Sequence, residues 1–229
     1  QARMRQKFNL EADWCTWDFV EKDVPFTRII EQMVLATGYG NFPLGLDNKS
    51  ISEGFRECYK LLDSNYEIDT LYFCSDLFIG ENNKDLLDEC EQENIRIVKV
   101  SEKVFKAMSY RDRPDGFIAV FNTRDLNLPD KINGPILIPD QIEKPGNLGT
   151  MIRTAKSFGI NNIFLSDEIT DIFNPNVIRA SIGHVFNMNI WSSSNNKIRD
   201  FLNSNNYQIL LLDPEGEESL ENFKPENNF

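Results

Sequence analysis

A strand leads into a helix at Glu143-Lys-Pro-Gly-Asn-Leu-Gly-Thr-Met-Ile-Arg-Thr-Ala-Lys-Ser-Phe-Gly159. Apolar residues 135–138 precede this segment and predict a buried strand, and apolar residues with helical spacing follow from Thr150 to Phe158. The proline and glycines between them favour a turn. Such a junction presents backbone N–H groups to a ligand, so the segment predicts an active-site loop.

Four residues of this segment are candidates for a site. Gly146 and Gly149 are expected to adopt backbone conformations that other residues avoid. The Asn147 side chain is expected to form a hydrogen bond across the loop. Arg153 is expected one turn into the helix, with its side chain directed back toward the loop. The set suits a phosphate or a ribose. An ordinary strand-to-helix connection is the alternative, because most such turns bind nothing.

A second polar segment, Asp171-Ile-Phe-Asn-Pro-Asn-Val-Ile-Arg-Ala-Ser-Ile-Gly183, follows the first. Together the two resemble the motifs of the SpoU (TrmH-like) family of SPOUT-class RNA 2′-O-ribose methyltransferases. The family's Asn-x-Gly-x-x-x-Arg-Thr-Ala motif is matched by Asn147, Gly149, Arg153, Thr154 and Ala155. Its Asn-Pro…Arg-Ala-Ser-x-Gly motif is matched by Asn174, Pro175, Arg179, Ala180, Ser181 and Gly183.

The resemblance covers about residues 49–223 and implies an α/β fold. It implies a SPOUT-type (α/β knot) parallel-sheet domain, preceded by a small ribosomal-protein-like α/β domain that binds the RNA substrate. It also implies S-adenosyl-L-methionine as cofactor, a ribosomal or transfer RNA as substrate, and a homodimer formed through the knotted domain. The organisation it suggests is an N-terminal segment of unknown role (1–48), a substrate-binding domain (49–125), a linker (126–134) and the N-terminal part of a methyltransferase domain (135–229).

Two departures from the family pattern stand out. Residues 1–48 resemble nothing in the family, and neither its Gly-x-Glu-Gly loop nor its Ile-Pro-Met…Ser-Leu-Asn segment occurs before Phe229. In relatives these motifs form the knot and most of the cofactor pocket, so the knot domain is expected to be incomplete and the cofactor-binding residues are unknown. Two alternatives therefore stay open: a catalytically inactive RNA-binding or scaffolding relative, and a fragment of a longer active enzyme.

The resemblance gives Arg153 and Asn147 the catalytic roles. Arg153 would orient the ribose hydroxyl and stabilise developing charge rather than abstract a proton, because a guanidinium keeps its proton in proteins. Asn147 would shape the loop or contact the ribose. Without the resemblance, an arginine that fixes a turn through carbonyl groups would be the preferred reading of Arg153.

The expected RNA-binding residues are Arg111, Arg113, Lys144, Arg179 and Ser181. Arg179 could equally brace the first motif, since its guanidinium suits both tasks. The two arginines near residue 112 could instead pair with Asp112 and Asp115. His184, the single histidine of the chain, is expected to be structural, because its apolar neighbours disfavour a charged imidazole.

The net charge of −12 argues against nucleic-acid binding by the protein as a whole. A local patch matters more than the total, and a basic cleft on an acidic body would reconcile the two. The residues expected to form it are Arg111, Arg113, Lys144, Arg153, Lys156 and Arg179.

Other compositional features are less specific. The four cysteines are scattered, so neither a metal site nor a disulfide framework is expected. No stretch approaches the roughly 18 apolar residues of a membrane span, and residues 1–7 lack a signal-peptide run, so a cytoplasmic location is expected.

Periodicity predicts alternating helices and strands. Helices are expected at residues 26–36, 52–64, 84–93, 104–108, 148–158, 177–182 and 196–203. Strands are expected at residues 70–74, 95–100, 116–121, 136–138, 162–165, 186–190 and 208–212. Strands that alternate with helices after residue 135 indicate a largely parallel sheet.

Overall fold

A computed structural model of the protein describes residues 48–212. The strands are β1 (Lys49–Glu53), β2 (Ile68–Phe73), β3 (Arg96–Lys99), β4 (Phe117–Asn122), β5 (Ile136–Leu137), β6 (Asn162–Ser166) and β7 (Asn189–Ser193). The helices are α1 (Phe55–Leu62), α2 (Asn83–Gln92), α3 (Glu102–Met108), α4 (Pro145–Ser157), α5 (Pro175–Ala180) and α6 (Asn195–Ser204). Short 3₁₀ turns occupy Ser75–Leu77 and His184–Asn187. The expected helix at residues 26–36 lies outside the described residues.

The first sheet has the strand order β1-β4-β2-β3. Strand β4 lies antiparallel to both β1 and β2, whereas β2 and β3 are parallel. Its central strand β4, Phe-Ile-Ala-Val-Phe-Asn, is buried from Phe117 to Phe121, because apolar side chains cover both of its faces. Helices α1 to α3 belong to this α/β unit, as the alternating pattern predicts.

The second sheet is parallel throughout, in the order β5-β6-β7. Strand β6 is buried along its length, and α4, α5 and α6 alternate with the strands in sequence. The parallel sheet covered by helices is therefore confirmed. The connection at residues 126–134 contains no helix or strand, yet it is fixed to this sheet: Ser192 N–H donates to the Leu126 carbonyl and the Tyr207 hydroxyl donates to the Ile132 carbonyl.

Three expected elements are wrong in detail. Ser52 and Glu53 end β1 and do not begin a helix, because a positive φ of 114° at Gly54 separates strand from helix. Phe186 lies in a 3₁₀ turn, and β7 begins only at Asn189. Residues 208–212 form no strand, since no described strand pairs with them and several of their side chains are exposed.

The glycine turn before α4 is also a wrong expectation. Pro145 occupies the first helical turn, where its fixed φ favours a helix, so Gly146, Asn147 and Gly149 lie within α4. Gly149 serves packing: a Cβ atom placed there would lie 2.6 Å from the Ala180 Cβ and 2.7 Å from the Val177 carbonyl oxygen. Helices α4 and α5 thus touch almost backbone to backbone.

An aromatic cluster joins the two α/β units. Tyr66 and Phe121, from the first unit, meet Phe173 and Phe186, from the second, in edge-on contacts with ring centroids 5.2–5.9 Å apart. The Ser50 hydroxyl donates to the Phe173 carbonyl oxygen at 2.9 Å in the same buried region. The largest hydrophobic core therefore contains side chains from both units.

A second glycine permits this junction. Gly183 has a φ of 71°, and a Cβ atom there would lie 3.1 Å from the Glu57 Cα and 3.1 Å from the Lys60 Cβ on α1. Both the left-handed backbone and the close neighbour favour glycine. Across residues 48–212, no helix combines the length and apolar character needed to cross a membrane.

Gly149→Ala should destabilise the protein by about 1–3 kcal/mol, because the added methyl group forces α4 away from α5. Gly146→Ala is the matched control on the same helix: a Cβ there meets nothing within 4 Å, and the change should be neutral or stabilise by up to about 1 kcal/mol. Urea unfolding followed by circular dichroism measures both. Equal stabilities of the two variants would contradict the close helix contact.

Candidate functional site

A cleft of about 390 Å³ lies between α4 and α5. Its lining residues are Pro145, Gly146, Arg153, Asn176, Arg179 and Ala180. Both family motifs contribute to it, and both arginines are exposed. The structure thus brings together Arg153 and Arg179, which are 26 residues apart in sequence.

Helical periodicity places these side chains on facing surfaces. Gly146, Gly149 and Arg153 are spaced three and four residues apart on α4, so they share a face. Asn176, Arg179 and Ala180 share a face of α5 in the same way. The α5 helix begins where the Asn174 side chain accepts a hydrogen bond from Asn176 N–H at 2.9 Å, an N-cap that orients this first turn.

The charge of the cleft is positive although the protein is acidic. Of the described residues that line it, two are arginines and none is acidic. Guanidinium groups bind phosphate through paired N–H donors. The arrangement therefore suits a phosphodiester backbone, and it resolves the conflict between the net charge of −12 and binding of a polyanion.

Lys144 and Asn147 lie beside the cleft at the start of α4. Lys144 is exposed immediately before the helix, and its carbonyl oxygen accepts from Asn147 N–H at 3.0 Å. The Asn147 side chain is exposed and is not part of the cleft lining. Asn147 therefore does not bond across a loop as expected, because it is helical.

The expected RNA-binding residue Ser181 and the expected basic-cleft residue Lys156 are engaged elsewhere. The Ser181 side chain is buried, and its hydroxyl donates to the Ile178 carbonyl oxygen at 2.9 Å, so Ser181 does not face a phosphate. The Lys156 ammonium group donates to the Asn161 side-chain oxygen at 2.9 Å and the Asn187 carbonyl oxygen at 3.1 Å. Both side chains stabilise local structure.

Arg111 is likewise an internal residue. Its side chain is 14% exposed and pairs with Glu57 at 3.1 Å and with Asp115 at 3.6 Å. It also donates to the Glu53 carbonyl oxygen. The self-paired alternative is thus the correct one for Arg111, with Glu57 as an additional partner, and the expected phosphate contact is wrong here. Arg113, two residues further on, is exposed.

Sequence reasoning missed Asn176 and Tyr110. Asn176 lines the cleft, and its side-chain amide donates to the Tyr110 hydroxyl at 3.2 Å. Tyr110 belongs to the first α/β unit, directly before the Arg111 loop. The Asn-Pro-Asn run was a signal for Asn176, but a contact between residues 66 positions apart has no signal in a single sequence.

The surroundings of His184 disfavour a charged imidazole. Its Nδ1 atom is buried and has no hydrogen-bond partner among the described residues. Burial lowers the pKa of its imidazole, and the positive charges of Lys60, Lys156 and Arg153 lower that pKa further. The imidazole is therefore neutral near pH 7, and its pKa reports on the charge of the neighbouring cleft.

An α/β unit is followed by a parallel sheet, and a cationic cleft is formed by the helices after β5 and β6; this is the architecture of a SPOUT-type α/β protein. Two family models match the chain. The SpoU rRNA methylase family matches residues 134–229, and the substrate-binding domain of RNA 2′-O ribose methyltransferases matches residues 51–125. The chain belongs to the SpoU family.

Individual relatives agree with this placement. Mitochondrial rRNA methyltransferase 3 from Xenopus laevis is 32% identical over 151 residues, which are 62% of this chain and 34% of that protein. The crystal structure of an RNA 2′-O ribose methyltransferase is 26% identical with a TM-score of 0.68, over 83% of this chain and 71% of that one. The AdoMet-bound rRNA methyltransferase from Sinorhizobium meliloti, at 23% identity, has a TM-score of 0.63 over 77% of this chain and 65% of that one. The chain spans about a third of the length of the curated relatives it matches.

The single histidine permits a direct test of this electrostatic environment. The imidazole resonances of His184 should titrate with a midpoint below the usual value of about 6.5. Arg153→Met should raise the midpoint, because it removes a nearby positive charge. Arg199→Met is the control, since Arg199 is exposed on α6 and is not among the charges that shift His184.

The same depressed pKa makes stability fall in acid. Below about pH 6.5 the unfolded chain binds the proton more readily than the folded one, so this contribution is complete above that pH and is lost as pH falls toward the folded-state pKa. NMR titration measures the midpoint, and a wild-type value above that of an exposed histidine would contradict the assignment.

Proposed function

We propose that the protein is an RNA 2′-O-ribose methyltransferase that acts on ribosomal or transfer RNA with S-adenosyl-L-methionine as methyl donor. The observation that carries the proposal is the cleft in which Arg153 and Arg179, one from each family motif, face each other with no acidic residue in its described lining. Family membership and the names of the relatives support it.

In this proposal the cleft holds the RNA backbone. Arg179 pairs with a phosphate, and Arg153 donates hydrogen bonds to the target ribose or its adjoining phosphate. Methyl transfer requires the 2′-oxygen to be held in line with the methyl group, so positioning supplies much of the rate. The Arg153 guanidinium would stabilise negative charge that develops on this oxygen as the hydroxyl proton passes to water, and it would not act as the base, because arginine stays protonated in proteins.

The cofactor is proposed from the family rather than from the cleft. S-adenosyl-L-methionine carries a sulfonium cation, and a cleft lined by two guanidinium groups disfavours a second positive charge. The cleft therefore fits RNA phosphate and does not fit the sulfonium. When bound, the cofactor supplies the methyl group. The Sinorhizobium meliloti neighbour contains AdoMet, which supports the same cofactor here.

The domain assignment belongs to the same proposal. Residues 49–125 form the RNA substrate-binding domain, 126–134 the linker and 135–229 the methyltransferase domain, with residues 1–48 as a segment of unknown role. We propose that the exposed Arg113 and Lys144 also contact the RNA. We propose a homodimer and a cytoplasmic location, which light scattering and cell fractionation test directly.

Arg153→Ala should lower methyl transfer by about 100- to 1,000-fold, the cost typical of removing one preorganised donor to a reacting oxygen. Transfer of tritium from methyl-labelled S-adenosyl-L-methionine to total RNA measures activity, and resistance to alkaline cleavage identifies the 2′-O product. Calorimetry should show cofactor affinity unchanged within about twofold, because the cleft does not hold the sulfonium. Arg199→Ala, on α6, is the matched control and should retain full activity.

Two results would contradict the proposal. The first is full activity of Arg153→Ala. The second is a well-folded 229-residue protein that neither binds S-adenosyl-L-methionine nor labels RNA; this result would leave an RNA-binding relative without methyl transfer, or a fragment of a longer enzyme.

A further inference from the structure

Tyr110 stands where the first α/β unit meets the cleft. Its hydroxyl accepts a hydrogen bond from Asn176 at 3.2 Å, and Asn176 lines the cleft together with Arg153 and Arg179. The Tyr110 residue is 37% exposed although its hydroxyl is engaged. The residue is thus partly accessible at the edge of the cationic cleft.

The backbone that carries this ring is fixed. Tyr110 N–H donates to the Glu53 carboxylate at 2.8 Å, and the Ser109 hydroxyl donates to the same carboxylate. Glu53 is buried at the end of β1. The segment that leads into the ring is therefore tied to the first sheet by two hydrogen bonds to one buried carboxyl group.

Arg111 fixes the other side of the loop. Its guanidinium is paired with Glu57 and Asp115 and donates to the Glu53 carbonyl group. Gly54 makes room for it, since a Cβ there would lie 2.5 Å from the guanidinium nitrogens. An arginine that had been expected to bind RNA instead holds the neighbouring tyrosine in place.

We propose that Tyr110 is a base-stacking, specificity-determining residue that receives an unpaired nucleobase next to the ribose held in the cleft. This inference rests on the proposed RNA function and extends it to the kind of RNA recognised, a single-stranded or loop nucleotide. Sequence-specific RNA recognition uses unstacked bases that pack on aromatic side chains. A ring held in advance loses little conformational entropy when the base arrives.

The main competing role is a strut between the two units, made by the hydrogen bond from Asn176 to the Tyr110 hydroxyl. The two roles depend on different atoms of the side chain. Tyr110→Phe removes the hydroxyl and keeps the ring, whereas Tyr110→Ala removes both. A strut acts on every ligand of the cleft equally, but a stacking surface acts only on ligands that carry a base.

The test uses the 229-residue protein and two fluorescein-labelled RNA hairpins, measured by fluorescence anisotropy. One hairpin has a loop of eight adenosines, and the other has the same loop with abasic riboses. Tyr110→Ala should weaken binding of the adenosine loop by about 5- to 150-fold, the range expected for loss of one stacked base. It should change binding of the abasic loop by less than about twofold, and Tyr110→Phe should bind both hairpins like the wild type.

Arg179→Ala serves as the phosphate control and should weaken both hairpins by similar factors. Equal weakening of both hairpins by Tyr110→Ala, or loss of binding in Tyr110→Phe, would assign Tyr110 to the strut and overturn the stacking proposal. If Tyr110→Ala leaves both affinities unchanged while Arg179→Ala weakens them, the stacking proposal fails and the proposed RNA function stands. If the wild type binds neither hairpin, both proposals fail. Circular dichroism shows whether each variant is folded.

Discussion

The backbone contact between α4 and α5 determines the geometry of the candidate site. Gly149 lacks the Cβ atom that would otherwise lie 2.7 Å from the Val177 carbonyl oxygen, so the two helices can approach closely. Arg153 follows Gly149 by four residues, about one helical turn, and Arg179 follows Val177 by two. The backbone positions of Arg153 and Arg179 are therefore set by two helices that meet where a side chain is absent.

This contact is supported from the other α/β unit. Gly183 follows α5 and lies close to α1, since a Cβ atom there would lie 3.1 Å from the Glu57 Cα. The aromatic cluster of Tyr66, Phe121, Phe173 and Phe186 packs the two units together. Buried aromatic side chains contribute through their large apolar area and through the edge-on geometry of their contacts. The cleft therefore lies next to a core that contains side chains of both units.

Much of the fold could be predicted from sequence because periodicity reports burial directly. Strand β4 has a continuous apolar run, and the apolar residues of α4 recur at helical spacing. The structure contains both elements. The expectations that failed depend on tertiary contacts. A glycine permits either a turn or a close approach, and only the position of α5 shows that Gly149 is a packing residue. Ser181 and Arg111 are polar residues in motif-like segments, and their burial depends on neighbours that sequence spacing does not define.

The contact between Tyr110 and Asn176 is a tertiary contact of this kind, and it lies at the candidate site. These residues are 66 positions apart and lie in different units, so each appears in sequence as part of its own loop. In the folded protein they share a hydrogen bond at the edge of the cationic cleft. Because the aromatic core joins the two units, the loop that follows α3 lies next to the cleft that the arginines line. If the cleft holds the ribose and Tyr110 stacks a base, as we propose, both contacts belong to one surface, and an RNA whose bases do not fit that surface would also fail to place its ribose beside Arg153.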